Sequence, residues 1–321
     1  MAVFNRNKIV CLAYLCYNQF IFKEVLIVNK VKIITDSTCD ISPDKLKELD
    51  IDMLSLYVVI KDKQYLDLEE IKWNDVIEKV KEYNELPKTA AVNIETFSEK
   101  FRFYVDQGFD VLYIGLGSKF SSTYNNARLA AKEFEEGRVI VLDSQNLSSA
   151  IGMMLIKMAK FRDQGLSAKE IAAKMEKIIP LTQTETALET MSYLYKGGRC
   201  SGMKYLVGRA LKLYPIVKVN DGVINVHRLG KLTFKNALNI IASDFRKDFE
   251  NGNVDDDFII ISTVGNEKAR EYLYNKVGEF FPKERIYLFE AGCVVSTHCG
   301  PGTTGFFYIR NNKVEDEVIN R

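Results

Sequence analysis

The sequence predicts an α/β protein built in two domains. Three observations carry this. The chain has 321 residues, where an ordinary domain takes roughly 150. From residue 31 onward, short β-branched runs alternate with stretches whose apolar residues recur at helical spacing. After about residue 180 the rhythm changes and strands begin to follow one another directly. Strand–helix alternation in the first part argues for a parallel sheet with helices on both faces.

VKIIT (31–35) reads as the first strand, followed by a turn at Asp36, Ser37 and Thr38. Ser42-Pro43 opens a helix, with serine as N-cap and proline at the first helical position. MLSLYVVI (53–60) reads as one strand, and 73–83 and 94–108 as amphipathic helices. VLYIGL (111–116) is an apolar strand, 121–137 a helix closed by Gly137, and VIVLD (139–143) another strand. A long helix is expected over about 144–162, and Ser167 with Glu170 forms a capping box for the next one. Beyond residue 180, strands are expected at 186–191, 214–219 and 222–226, with a short helix at 204–213. Asp221-Gly222 marks a two-residue hairpin turn. A helix at 232–250, strands at 257–263, 285–291 and 305–310, and a helix at 266–281 complete the second unit. The expected domains are 31–180 and 181–321.

Residues 1–30 stand apart. They are apolar and aromatic, but Asn18, Gln19, Lys23 and Glu24 interrupt the run, and no small-residue cleavage site follows. The stretch is too broken to span a bilayer. It is expected to be an extension outside the fold, with a natural start at Val28 through a non-ATG codon.

With 44 basic and 43 acidic side chains, the chain lacks the phosphate-neutralising excess of a nucleic-acid binder. Its six cysteines form no C-x-x-C pair, so they read as reduced thiols of a cytosolic protein rather than zinc ligands or a disulfide framework. Cys293, His298 and Cys299 are close in sequence, but no fourth ligand is evident, so no metal is expected. The charge is uneven: residues 196–235 hold nine Lys/Arg against one acid, a net +8 that leaves −7 for the remainder. Such a segment docks an acidic or phosphate-bearing partner, or is a strand edge and helix face kept soluble by lysine.

GPGTTG (300–305) matches G-x-G-x-x-G, yet a strand pattern follows it, the wrong order for a dinucleotide site. What it offers is His298 beside a turn that lets backbone approach a ligand. GLGSKFSSTYNNA (115–127) places Ser118, Ser121, Ser122 and Thr123 between a buried strand and a helix, where open α/β sheets bind ligands and helix N–H groups favour an anion. Thr89 lies at a similar pre-helix point, and YKGGRCSG (195–202) is a glycine-flanked arginine. No P-loop and no G-x-S-x-G occurs; a hydrolase or phosphotransferase using His298 with Ser118 stays open as the alternative.

Taken in order, TDSTCDIS (35–42), KTAAVNIETF (88–97), GSKFSSTYNNA (117–127), LDSQNLSSAIG (142–152), YKGGRCS (195–201), YPIVKVNDGVI (214–224) and HCGPGTTGFFY (298–308) resemble the DegV family of bacterial fatty-acid-binding proteins over about residues 31–311. The resemblance implies an N-terminal three-layer α/β/α domain on a parallel sheet and a C-terminal two-layer α/β domain on a mixed sheet, with an acyl chain held between them. It implies a carrier rather than an enzyme: the lipid-holding subunit of a two-component fatty acid kinase, supplying acyl phosphate for phospholipid synthesis. No cofactor is implied, only a long-chain fatty acid as ligand. The partners implied are an ATP-dependent kinase subunit and, in passing, a membrane surface. Carried over residue by residue, Thr89, Ser118 and His298 would hold the carboxylate. Arg199, Ser37 and Ser121 would lie near the head group, and Arg228 and Lys231 where the kinase docks. Ala90 and Val92 stand where the family often has Ser and Pro, and Lys119 and Ser122 where it has Gly, which puts chain-length preference in doubt.

Overall fold

A computed structural model describes residues 30–200 and 212–312. Its first sheet is parallel, in the order β2 (Ile51–Leu54), β1 (Lys30–Asp36), β6 (Phe109–Gly115), β7 (Val139–Asp143). Alternation decides its two faces. Ile33, Leu112 and Ile114 point one way and Ile34, Val111 and Tyr113 the other, and all are fully buried. Covering both faces is what a parallel sheet requires, and it explains why these strands read as continuous apolar runs. Helices α3 (Ile94–Val105) and α4 (Thr123–Ala131) cover one face, where Phe97 meets Tyr113 edge-on at 5.0 Å between centroids. Helices α1 (Pro43–Glu48), α5 (Ser149–Asp163) and α6 (Ala168–Ile178) cover the other.

The second sheet is mixed, in the order β10 (Val223–Lys231), β9 (Leu213–Asn220), β8 (Thr182–Ala187), β13 (Thr304–Ile309), β11 (Ile259–Thr263), β12 (Ile286–Glu290). Helices α8 (Phe234–Glu250) and α9 (Glu267–Val277) cover one face, around Phe245, Phe306 and Tyr308. The other face turns Ile260, Phe307 and Ile309 towards α5, which is buried at every position from Ser149 to Ala159. One helix thus serves both sheets, and a helix packed on all sides has no polar stripe to show in sequence. The β9–β10 turn has positive φ at both Asp221 (48°) and Gly222 (74°), the geometry an Asp-Gly hairpin favours.

Several sequence expectations need correction. The run 53–60 is two strands in two sheets: β2 and β3 (Tyr57–Ile60) part because Ser37 Oγ and the Asp67 amide capture the Leu56 backbone. With β4 (Lys63–Leu66) and β5 (Lys88–Ala90), β3 forms a small antiparallel sheet that was not foreseen. The strand expected at 186–191 is β8, and it ends at Ala187. The long helix starts at Ser149 rather than 144. In the expected helix 204–213, Leu213 belongs to β9 and residues 204–211 lie outside the described residues. Lys30, placed in the extension, is the first residue of β1, paired with Phe109; residues 1–29 lie outside the described residues. GPGTTG does lead into a strand, β13, as its order suggested. Three further helices are α2 (Trp73–Tyr83), α7 (Ser192–Gly197) and α10 (Cys293–Cys299).

Candidate functional site

From β1 the chain steps to one side of the parallel sheet, and from β6 to the other, so their carboxyl ends flank a topological switch point. Asp36 ties the two ends together. Its carboxylate accepts from the Thr38 amide (3.0 Å) and hydroxyl (2.5 Å), the Tyr113 hydroxyl (2.7 Å) and the Leu116 amide (2.8 Å). Position 115 must be glycine, because a Cβ there would lie 2.1 Å from Asp36 Oδ2.

Above this point a cavity of about 170 Å³ opens between the two sheets. Leu56, Leu116, Phe120, Leu147, Ile224 and Val295 give it apolar walls. Thr38, Thr89, Ser121, Ser122, Arg199 and His298 supply the polar groups. Two elements distant in sequence meet there: Thr89 on β5 and His298 near the end of α10 place Oγ1 and Nε2 3.0 Å apart.

His298 carries no charge in this setting. Burial, then the nearby Arg199 cation, lowers its pKa from 6.5 to about 4. Its Nδ1 is buried with no hydrogen-bond partner among the described residues. Gly197 makes room for the ring, since a Cβ at 197 would lie 2.6 Å from Nδ1. Gly198 has φ +70° and closes α7, and Arg199 Nη1 donates to the Gly197 carbonyl at 2.6 Å. Gly197 of the KGGR motif thus shapes the back of the imidazole pocket, while Gly198 ends the helix that carries it.

Neighbouring thiols contribute no reactive group. Burial pushes the Cys299 thiol up to about 12 and raises that of Cys293, which donates to the Ile71 carbonyl. Among the described residues, no group of three or more His, Cys, Asp or Glu is placed to hold a metal ion.

The DegV family model matches residues 30–311. A DegV domain-containing protein of Clostridium acetobutylicum is 31% identical over 282 residues, covering 88% of this chain and 99% of the relative. The chain belongs to the DegV family. Another DegV domain-containing protein, from Listeria monocytogenes, is 32% identical over 292 residues, covering 88% of this chain and 99% of its own. Among solved structures, a fatty-acid-binding DegV family protein of Thermus thermophilus superposes with TM-score 0.81 at 29% identity, covering 88% of this chain and 99% of that one. A DegV lipid-binding protein of Thermotoga maritima gives TM-score 0.76 at 27% identity, covering 89% and 100%. The two-domain α/β arrangement of this DegV chain, parallel sheet beside mixed sheet, is the one these structures share.

Thr89, His298, Arg199 and Ser121 all line the cavity. Ser118 and Ser37 do not. The Ser118 amide donates to Asp143 at 3.0 Å, which pins the residue between the ends of β6 and β7; Ser121 and Ser122 reach the cavity instead. Ser121 also works locally, since its Oγ accepts from the Thr123 amide at the start of α4. Ser37 is fully buried and bonded to Asp67 and to the Leu56 amide. His298 therefore pairs with Thr89 rather than Ser118, which leaves the hydrolase alternative without its expected nucleophile.

Arg228 and Lys231 lie on β10, an edge strand remote in register from the hairpin tip. Arg228 Nη1 is held by Asp244 at 2.8 Å, and Lys231 is exposed. Sequence reasoning assigned no contact to Thr38, which lines the cavity, and did not foresee the burial of the carboxylates Asp36, Asp40 and Asp67. The first two sit inside the quoted TDSTCDIS motif, where Asp36 reads as a turn residue. Asp67 begins a run, DLEE, that reads as a solvated acidic face.

Proposed function

We propose that this DegV protein binds a long-chain fatty acid, burying the acyl chain among Leu56, Leu116, Phe120, Ile224 and Val295 and holding the carboxylate at Thr89 and His298. One observation carries the reading: the cavity is apolar along its walls and polar where Thr89 and His298 meet. A carboxylate buried without donors would cost several kcal/mol, so it must lie at that polar end. A hydroxyl, a neutral imidazole and the nearby Ser121 and Arg199 hold an anion without locking it in a buried ion pair. The carboxylate oxygen thus keeps its nucleophilicity.

In this reading ATP is supplied by a partner subunit. In the step we assign to the complex, a carboxylate oxygen attacks the γ-phosphorus of ATP on a kinase subunit. The bond to the ADP oxygen breaks, and acyl phosphate and ADP leave. Arg228 and Lys231, on the edge strand of the basic segment, are the docking positions that fit a partner acidic at its contact surface. Hydroxylamine trapping of acyl phosphate in the presence of a kinase partner and ATP tests this. Trapped product that disappears in the His298→Ala variant supports the reading. Trapped product from the isolated chain with ATP alone would contradict the carrier role.

A further inference from the structure

α10 forms one wall of the cavity: Val294, Val295, His298 and Cys299 all line it. With only seven residues, this helix does not hold its own orientation. Something must anchor the end opposite His298.

The anchor is a hydrogen-bond chain that starts in the other domain. The Leu56 amide donates to Ser37 Oγ (3.1 Å), and Ser37 Oγ donates to Asp67 Oδ2 (2.9 Å). The Cys293 amide donates to Asp67 Oδ1 (2.8 Å), and the Val294 amide to Oδ2 (3.4 Å). The preceding amide, at Gly292, donates to Asp40 Oδ1 at 3.0 Å. Ser37 and Asp67 are both fully buried, so bulk solvent does not reach the chain to replace a lost member. The first amides of a helix lack intrahelical partners, and a carboxylate that accepts two of them fixes the helix in direction and roll.

We infer that Ser37 and Asp67 are positioning residues that act through α10 to set the His298 imidazole against Thr89. This rests on the proposed carboxylate site and adds to it two residues that touch no ligand. The polarity of the chain is strict. Ser37 Oγ already accepts from Leu56, so its own hydrogen needs an acceptor. In Asp67→Asn, whichever way the amide turns, at least one of the three donors that Asp67 now accepts meets an N–H₂ group instead: Cys293 alone in one orientation, Ser37 and Val294 in the other.

The chain carries two histidines, so two imidazoles report on the test separately. ¹⁵N-edited spectra of the side chains and titration with a fluorescent fatty acid would be recorded for wild type, Ser37→Ala and Asp67→Asn. We expect the His298 signals to move in both variants while those of His227 stay. Affinity should fall about fivefold in Ser37→Ala and more than tenfold in Asp67→Asn. If Asp67→Asn does not fold, Ser37→Ala decides alone. His298 signals unchanged and affinity within twofold of wild type would overturn the inference. If the wild type binds no fatty acid, the proposed function fails, and the His298 signals still decide the positioning role.

Discussion

His227 stands 3.5 Å from the Asp244 carboxylate, beside Arg228 and near the buried Lys218–Glu185 pair at 3.0 Å. His298 meets a hydroxyl and faces an arginine, and among the described residues no carboxylate bonds to it. A β-bulge between Val226 and Arg228 sets His227 out of the β10 register, beside α8. His227 already has its anion within the protein. His298 has a hydroxyl partner, a cationic neighbour and an open cavity, an arrangement that suits an anion from outside. Residue type alone does not separate the two; the neighbouring charges do.

The sharpest way to break this contrast is to remove each imidazole. His298→Ala should weaken fatty acid binding about a hundredfold, because a buried carboxylate loses a hydrogen bond in an apolar site. His227→Ala should leave it within twofold. Equal losses in displacement titrations would erase the distinction.

The next largest effect concerns pH. The pKa of His298 is lowered from 6.5 to about 4 in the folded protein. Its contribution to stability is therefore present above pH 6.5 and lost as pH falls towards 4. Allowing for partial exposure of the ring, this is on the order of 2 kcal/mol. Asp40 opposes it: burial raises its carboxyl to about 7, so its contribution is present below pH 4 and lost as pH rises through 7. The difference in melting temperature between wild type and His298→Gln, followed from pH 7 to pH 4, isolates the histidine. The gap should shift against the wild type as pH falls; a constant gap would contradict the buried neutral imidazole.

Two smaller effects sharpen the site. Gly197→Ala pushes a methyl group to 2.6 Å from His298 Nδ1, and binding should fall about tenfold as the ring moves. Thr89→Val keeps the shape and removes the hydroxyl, and should cost about fivefold. Ser118→Ala is the comparison for both and should stay within twofold of wild type, since Ser118 lies outside the cavity lining.

Much of the fold was legible because its strands obey local rules. VIVLD and the Asp-Gly hairpin are found where the sequence places them. The Ser167–Glu170 capping box is also present, with both of its hydrogen bonds formed. The split of 53–60 was not legible, because the Leu56 backbone is captured by Ser37 and Asp67 from elsewhere in the chain. In the site, Thr89, Arg199 and His298 came through motifs, each with a local peculiarity of glycine or turn. Their meeting did not, since it depends on a three-residue strand and a seven-residue helix more than two hundred positions apart. Asp67 was hidden because nothing local separates a buried acid from a solvated one.

Native mass spectrometry of the purified protein, followed by organic extraction, tests the central claim most directly. The account predicts a mass increment equal to one long-chain fatty acid, recovered on extraction and lost in His298→Ala. An unliganded mass, with no thermal shift when fatty acid is added, would contradict it.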